Sequence, residues 1–228
     1  GMTCMNLNEW RKVLLEIKKD KKTGKPAPYK GLLILWMIGY FRQSGKYQID
    51  FAVAEQSLKN LMRPYRLANS QVDVSVPFLA LANESRLWKV FDKNGVDIYP
   101  NWRTARGDRN FMRSQVSGSF TDGFAEEILA DEDRTSAIIK LILNEDFQRE
   151  EHSKILSACN LSNSIEHSFS EVFERVFEIQ KSIENTNQPI EEISYEKLAE
   201  ILNDAADLSF DEIPKNKEKT TSPKKHGN

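Results

Sequence analysis

Four arginines, Arg103, Arg106, Arg109 and Arg113, fall within eleven residues beside Trp102 and Phe111. Guanidinium forks match phosphate oxygens and base edges, and neighbouring aromatic rings stack on bases or wedge a groove. The chemistry this points to is contact with DNA or RNA. The other reading is a loop whose arginines pair with acidic residues elsewhere in the chain. A second cationic feature is "KPAPYKGLLILWMIGYF", residues 25–41. Pro26 and Pro28 hold the entry extended, so Tyr29 and Lys30 fall in the first turn of an apolar helix. Free N–H groups there favour an anion, and Lys30 suits that place if a phosphate lies against it. Otherwise Tyr29 packs and Lys30 simply reaches solvent. The lysine run Lys18, Lys19, Lys21, Lys22 and Lys25 is weaker, because such clusters often only solubilise.

Catalytic chemistry finds little support. The three histidines, His152, His167 and His226, and the two cysteines, Cys4 and Cys159, show no metal-ligand spacing. There is no phosphate-binding loop and no dinucleotide fingerprint. The many carboxylates fall mostly on helix surfaces that water solvates. We therefore expect no catalytic residue, no metal and no cofactor in these residues.

Net charge is −2, but it is split: residues 1–115 carry 20 basic and 10 acidic side chains, the remainder 12 and 24. One half is suited to a polyanion and the other is not; alternatively the halves attract each other. The longest apolar run, Gly31 to Phe41, is too short to span a bilayer. No signal-like segment opens the chain, which makes a cytoplasmic home the expectation. The leading Gly-Met reads as a cleavage scar.

The elements that must position these residues follow from periodicity. "NLNEWRKVLLEIKKDKK" is an amphipathic helix with Asn6 or Asn8 as cap. Lys30 to Phe41 is a buried helix. The third helix is capped by Asp50 and ends near Arg63, before Pro64. "VDVSVPFLAL" alternates, "NES" turns, and "RLWKVF" follows, which predicts a β-hairpin of roughly Val76–Leu81 with Leu87–Phe91. "NWRTARGDRNFMRSQVSGSF" reads as a long arginine-rich loop. Helices return from Asp122. The expected class is mainly α with a small β-hairpin (α+β): winged-helix-like N-terminal helices and hairpin, then an acidic helical C-terminal part.

Three segments together carry a resemblance. "GKPAPYKGLLILWMIGYF", "VPFLALANESRLWKV" and "SGSFTDGFAEEILADEDRTSAIIKLILNEDF" are similar, in order and spacing, to the N-terminal sulfur-binding domain of phosphorothioate-dependent (Type IV) HNH restriction endonucleases, over roughly residues 7–160. The resemblance implies a module that binds duplex DNA with sulfur in place of a non-bridging backbone oxygen. It implies a sulfur cup at Val76, Pro77 and Ala80, and backbone contacts from Tyr29 and Lys30. Sulfur is larger, softer and less hydrated than oxygen, so an apolar cup favours it. An oxygen there would lose hydration without gaining hydrogen bonds. Discrimination of about 1–3 kcal/mol is the scale for small differences in apolar pockets. Val76 stands where the family often has tyrosine, and Tyr29 and Gly31 replace a common His and Pro. No HNH segment is evident.

The implied organisation is a recognition domain over 1–160, an acidic helical extension over 161–210 and a disordered tail or linker over 211–228. The implied partners are phosphorothioate-modified double-stranded DNA, a nuclease domain or subunit of a restriction system, and a homodimer mate, with no membrane. The alternatives are a general or differently modified DNA reader, a protein-interaction adaptor, and a nuclease with an unrecognised carboxylate site.

Overall fold

Of the two asparagines that could open the first helix, Asn6 does so: its side-chain oxygen accepts the backbone N–H of Glu9 at 2.9 Å. The computed structural model describes residues 4–17, 28–66, 70–84, 86–162 and 176–181. The chain divides into two units, Gly1–Ile165 and Glu166–Asn228. In the second, the described residues 176–181 are helical. The rest of the predicted acidic extension, the tail and the lysine run 18–25 lie outside the described residues.

In the first unit, helix α1 (Leu7–Ile17) buries Trp10, Val13 and Leu14. Helix α2 (Pro28–Ser44) starts at Pro28, which has no N–H to leave unpaired. It is apolar on nearly every side and passes through the core. Gly39 permits that: a Cβ there would overlap the carbonyl oxygen of Cys159. Strand β1 (Gln48–Asp50) leads directly into α3 (Phe51–Met62). Asp50 stands at the N-cap, yet its side chain makes no capping bond. It accepts the Ser117 hydroxyl at 2.6 Å instead. A 3₁₀ turn, Arg63–Tyr65, extends the helix past Pro64.

Next come α4 (Ser75–Ala80), β2 (Trp88–Phe91), α5 (Trp102–Arg106), α6 (Arg109–Gln115) and β3 (Ser117–Phe120). One short turn, α7 (Asp122–Phe124), widens into a π-helical stretch, Ala125–Leu129. The unit closes with α8 (Glu132–Asp146) and α9 (Arg149–Ala158). The three strands form one antiparallel sheet of order β1-β3-β2, with Gln48 opposite Ser119 and Trp88 opposite Phe120.

The α+β class stands, but the strands pair differently from the prediction. Residues 76–81 do not form a hairpin with 87–91. Ser75–Ala80 is helical, and the partner of β2 is the distant β3. The physical reason is local. The Asp73 carboxylate accepts the Ser75 N–H at 3.1 Å and its hydroxyl at 2.5 Å. This turns the chain into a helix whose first turn tolerates Pro77, since no N–H is needed there. The alternation of Val72, Val74 and Val76 imitated a strand. The arginine-rich segment is likewise not a loop: Gly107 ends α5, and Asp108 caps α6 by accepting the Phe111 N–H at 2.9 Å.

A chain of aromatic rings fixes α4 to the sheet. Phe51, Phe78, Trp88, Phe120 and Phe124 meet in succession at centroid distances of 5.2, 5.5, 5.5 and 4.8 Å. Trp10 caps the series edge-on to Phe124 at 5.1 Å. Gly118, in the central strand, leaves room for two of these rings; a Cβ there would overlap both Trp88 and Phe78.

Candidate nucleic-acid interface

Helix α4 is anchored by Phe78 and Leu79, each 0% exposed. With that face inward, Val76 and Ala80, four residues apart, share the opposite stripe and are both half-buried. Pro77 lies between them in sequence and is buried. The face offered to solvent is therefore small and apolar. Of the three residues expected to form the cup, Pro77 is recessed and Val76 and Ala80 are partly accessible.

Beside the start of α4 lies a hollow of about 90 Å³. Asp73, Ser75, Glu55, Arg106 and Arg109 line it, with Phe51 and Met112 also contributing. Arg106 and Arg109 are exposed, and among the described residues neither pairs with a carboxylate. Arg113 also lines the hollow, but its guanidinium is held by Glu55, with Nε–Oε1 at 2.7 Å and a second contact at 3.2 Å. That partner raises the Arg113 pKa, first by hydrogen bonding and then by charge. Arg103 is exposed, and its guanidinium sits 5.2 Å from the centre of the Trp102 ring. Trp102 and Phe111 are half-buried and pack against the core.

At the start of α2, Tyr29 and Lys30 are both half-buried. Burial raises the Tyr29 pKa, with the charge of Arg66 opposing, so its hydroxyl stays protonated and can donate. Lys30 has an interaction within the protein and is not a free cation. Gly31 is met by the Asp146 carboxylate, which would overlap a Cβ there. A carboxylate of the protein itself thus lies against the helix start proposed for a phosphate.

Sequence reasoning overlooked a second cationic hollow, of about 250 Å³, lined by Lys59, Arg63, Arg66, Gln71 and Val72. The signal was present in "KNLMRPYR": basic residues at 59, 63 and 66 repeat at four and three, one side of a helix. Among the described residues no group of His, Cys, Asp and Glu could hold a metal ion, and no helix is long and apolar enough to cross a membrane.

A helical unit with a small sheet and unpaired arginines beside an apolar helix face defines a DNA-binding module as its class. Residues 9–164 match the family model described as "ScoMcrA-like, DNA sulfur-binding domain", and the chain belongs to that family. A solved structure titled "Sulfur binding domain of SprMcrA complexed with phosphorothioated DNA" shares the fold at 16% identity. Its TM-score is 0.53, covering 70% of this chain and 97% of that one. No curated protein matches the chain.

Proposed function

We propose that this chain is the specificity module of a modification-dependent restriction system and reads a phosphorothioate in the backbone of duplex DNA. The observation that carries the reading is the half-buried stripe of Val76 and Ala80 on α4, a helix whose first residue, Ser75, lines a hollow that also bears the exposed Arg106 and Arg109. Arginine forks there hold backbone oxygens and set the register, which is a sequence-independent task. The methyl groups of Val76 and Ala80, with Pro77 beneath, then receive the sulfur. An oxygen at the same place gives up hydration to a surface that offers no donor. Tyr29 contributes a neutral hydroxyl donor, while Lys30 shapes the start of α2 more than it supplies free charge. Arg103 and Arg113 lie at the margin, one stacked on Trp102 and the other clamped by Glu55. Cleavage would belong to a nuclease in a further domain or a separate subunit.

The test is a binding titration with paired short duplexes, identical except for one stereo-defined phosphorothioate, at two salt concentrations. Tighter binding to the sulfur duplex at both concentrations supports the reading. Equal, salt-sensitive binding across several base contexts would leave a general DNA reader. Binding to neither duplex would leave the adaptor.

A further inference from the structure

We propose that the hollow formed by Lys59, Arg63, Arg66 and Gln71 is a second phosphate site, which grips a backbone phosphate other than the one that carries sulfur. The inference rests on the reading of the chain as a duplex-DNA binder and adds a separate contact to it.

Lys59 lies in the last turn of α3, Arg63 starts the 3₁₀ turn and Arg66 follows it. The change from α-helix to 3₁₀ turn to extended chain still leaves the three cations around one hollow, which Gln71 also lines and which has a volume of about 250 Å³. Among the described residues no carboxylate lines it and none of the three cations forms an ion pair. The hollow beside α4 differs in this respect, because Glu55 and Asp73 line it too.

Cations at a helix end also offset the negative end of the helix dipole. That role explains one or two charges near the last carbonyls. It does not explain three cations and an amide gathered around one hollow that no described carboxylate lines. Two guanidinium forks, an ammonium and an amide N–H make a donor set suited to the oxygens of a phosphodiester.

Position ties the hollow to the rest of the interface. Lys59, Gln71 and Val72 line both hollows, so the second continues directly from the one holding Arg106 and Arg109. Arg66 is also near enough to Tyr29, at the start of α2, for its charge to act on that hydroxyl. A duplex seated on α4 thus meets cations from both hollows.

The experiment compares the wild-type chain with the double variant Arg63→Gln/Arg66→Gln, both exposed positions, on the phosphorothioate duplex and its all-oxygen twin. Circular dichroism confirms the fold of each protein. The expected result is about a tenfold loss on both duplexes, an unchanged sulfur preference, and a salt slope shallower by about 0.9 for the phosphate released. Single uncharged methylphosphonates placed along each strand supply a second readout. One position should weaken the wild type and leave the double variant unaffected. If the wild type binds DNA but the variant matches it in affinity, salt slope and methylphosphonate profile, the second site is overturned. If the wild type binds neither duplex, the DNA-binding reading fails and the site falls with it.

Discussion

The indole N–H of Trp88 donates to the backbone carbonyl of Phe78 at 3.0 Å, in a buried bond between strand β2 and helix α4. The two rings also meet edge to face, 5.5 Å between centroids. One side chain of the sheet thereby sets both the depth and the rotation of the helix that carries Val76 and Ala80. The half-buried apolar stripe is a consequence of core packing, held from behind by a hydrogen bond that an apolar core residue could not supply.

Trp88→Phe should remove that bond and leave both a cavity and an unsatisfied carbonyl. A loss of about 2–4 kcal/mol of stability is expected, read by urea or thermal unfolding. Folded variant should also show a smaller ratio of affinities for the sulfur and oxygen duplexes, because α4 is no longer held in one orientation. A variant with wild-type stability would show that the bond is dispensable.

Ala80→Leu fills the stripe between the half-buried methyl groups without touching a charge. Sulfur preference should fall by about 10-fold or more, while binding to the all-oxygen duplex changes little. Fluorescence anisotropy with the paired duplexes measures both. An unchanged preference would move the sulfur site elsewhere.

Arg106→Ala and Arg109→Ala should each weaken both duplexes alike and make the salt dependence shallower, as expected for contacts to phosphate. Arg113→Ala should have a smaller effect on DNA, since Glu55 already holds that guanidinium. The same titrations at several salt concentrations separate the three. An Arg113 variant as defective as the other two would show that the ion pair opens on binding.

Gly118→Ala should destabilise the protein by more than the usual cost of an added core methyl, about 1–3 kcal/mol, because two fully buried rings occupy that space. A melting temperature within a degree of wild type would contradict the packing described for β3.

Cys159 is buried, and burial pushes its thiol up to about 12 from an ordinary value of 9.0. In the folded chain it should resist a thiol reagent at pH 8 that modifies the exposed Cys4. The raised folded value favours the neutral thiol, so its contribution to stability is complete below about pH 9. It is lost as pH climbs from 9 toward 12, by about 1.4 kcal/mol per unit within that window. Replacing Cys159 by alanine should lower stability at neutral pH and flatten that alkaline decline; denaturant melts from pH 8 to 11 read both effects.

Much of the helical framework was legible in the sequence because its signals are local. Asn6 caps α1 through its own neighbours, Pro28 starts α2, and the helical period of α3 and α8 needs no distant partner. The segment 72–81 was misread because three valines alternate over residues whose fate is decided by one carboxylate, that of Asp73. Asp-Val-Ser-Val-Pro is itself a helix-start pattern, an acidic residue shortly before a proline, and it outweighs the alternation. Asp108 after Gly107 is the same kind of signal inside the arginine-rich stretch.

The sequence by itself determined the class, the family motifs and the presence of cations and small apolar residues in the right order. Their roles depended on partners far away in the chain, which no local period encodes. Glu55 removes Arg113 from the free charges across 58 residues. Trp88, through Phe78, turns Val76 and Ala80 outward, and β3 arrives between β1 and β2 only after α5 and α6 have been built. Lys59, Arg63 and Arg66 share a hollow only once the chain returns with Gln71 and Val72 to line it too. Residue types specify which interactions are available; only the packed chain decides which side chains are already satisfied and which still face a ligand.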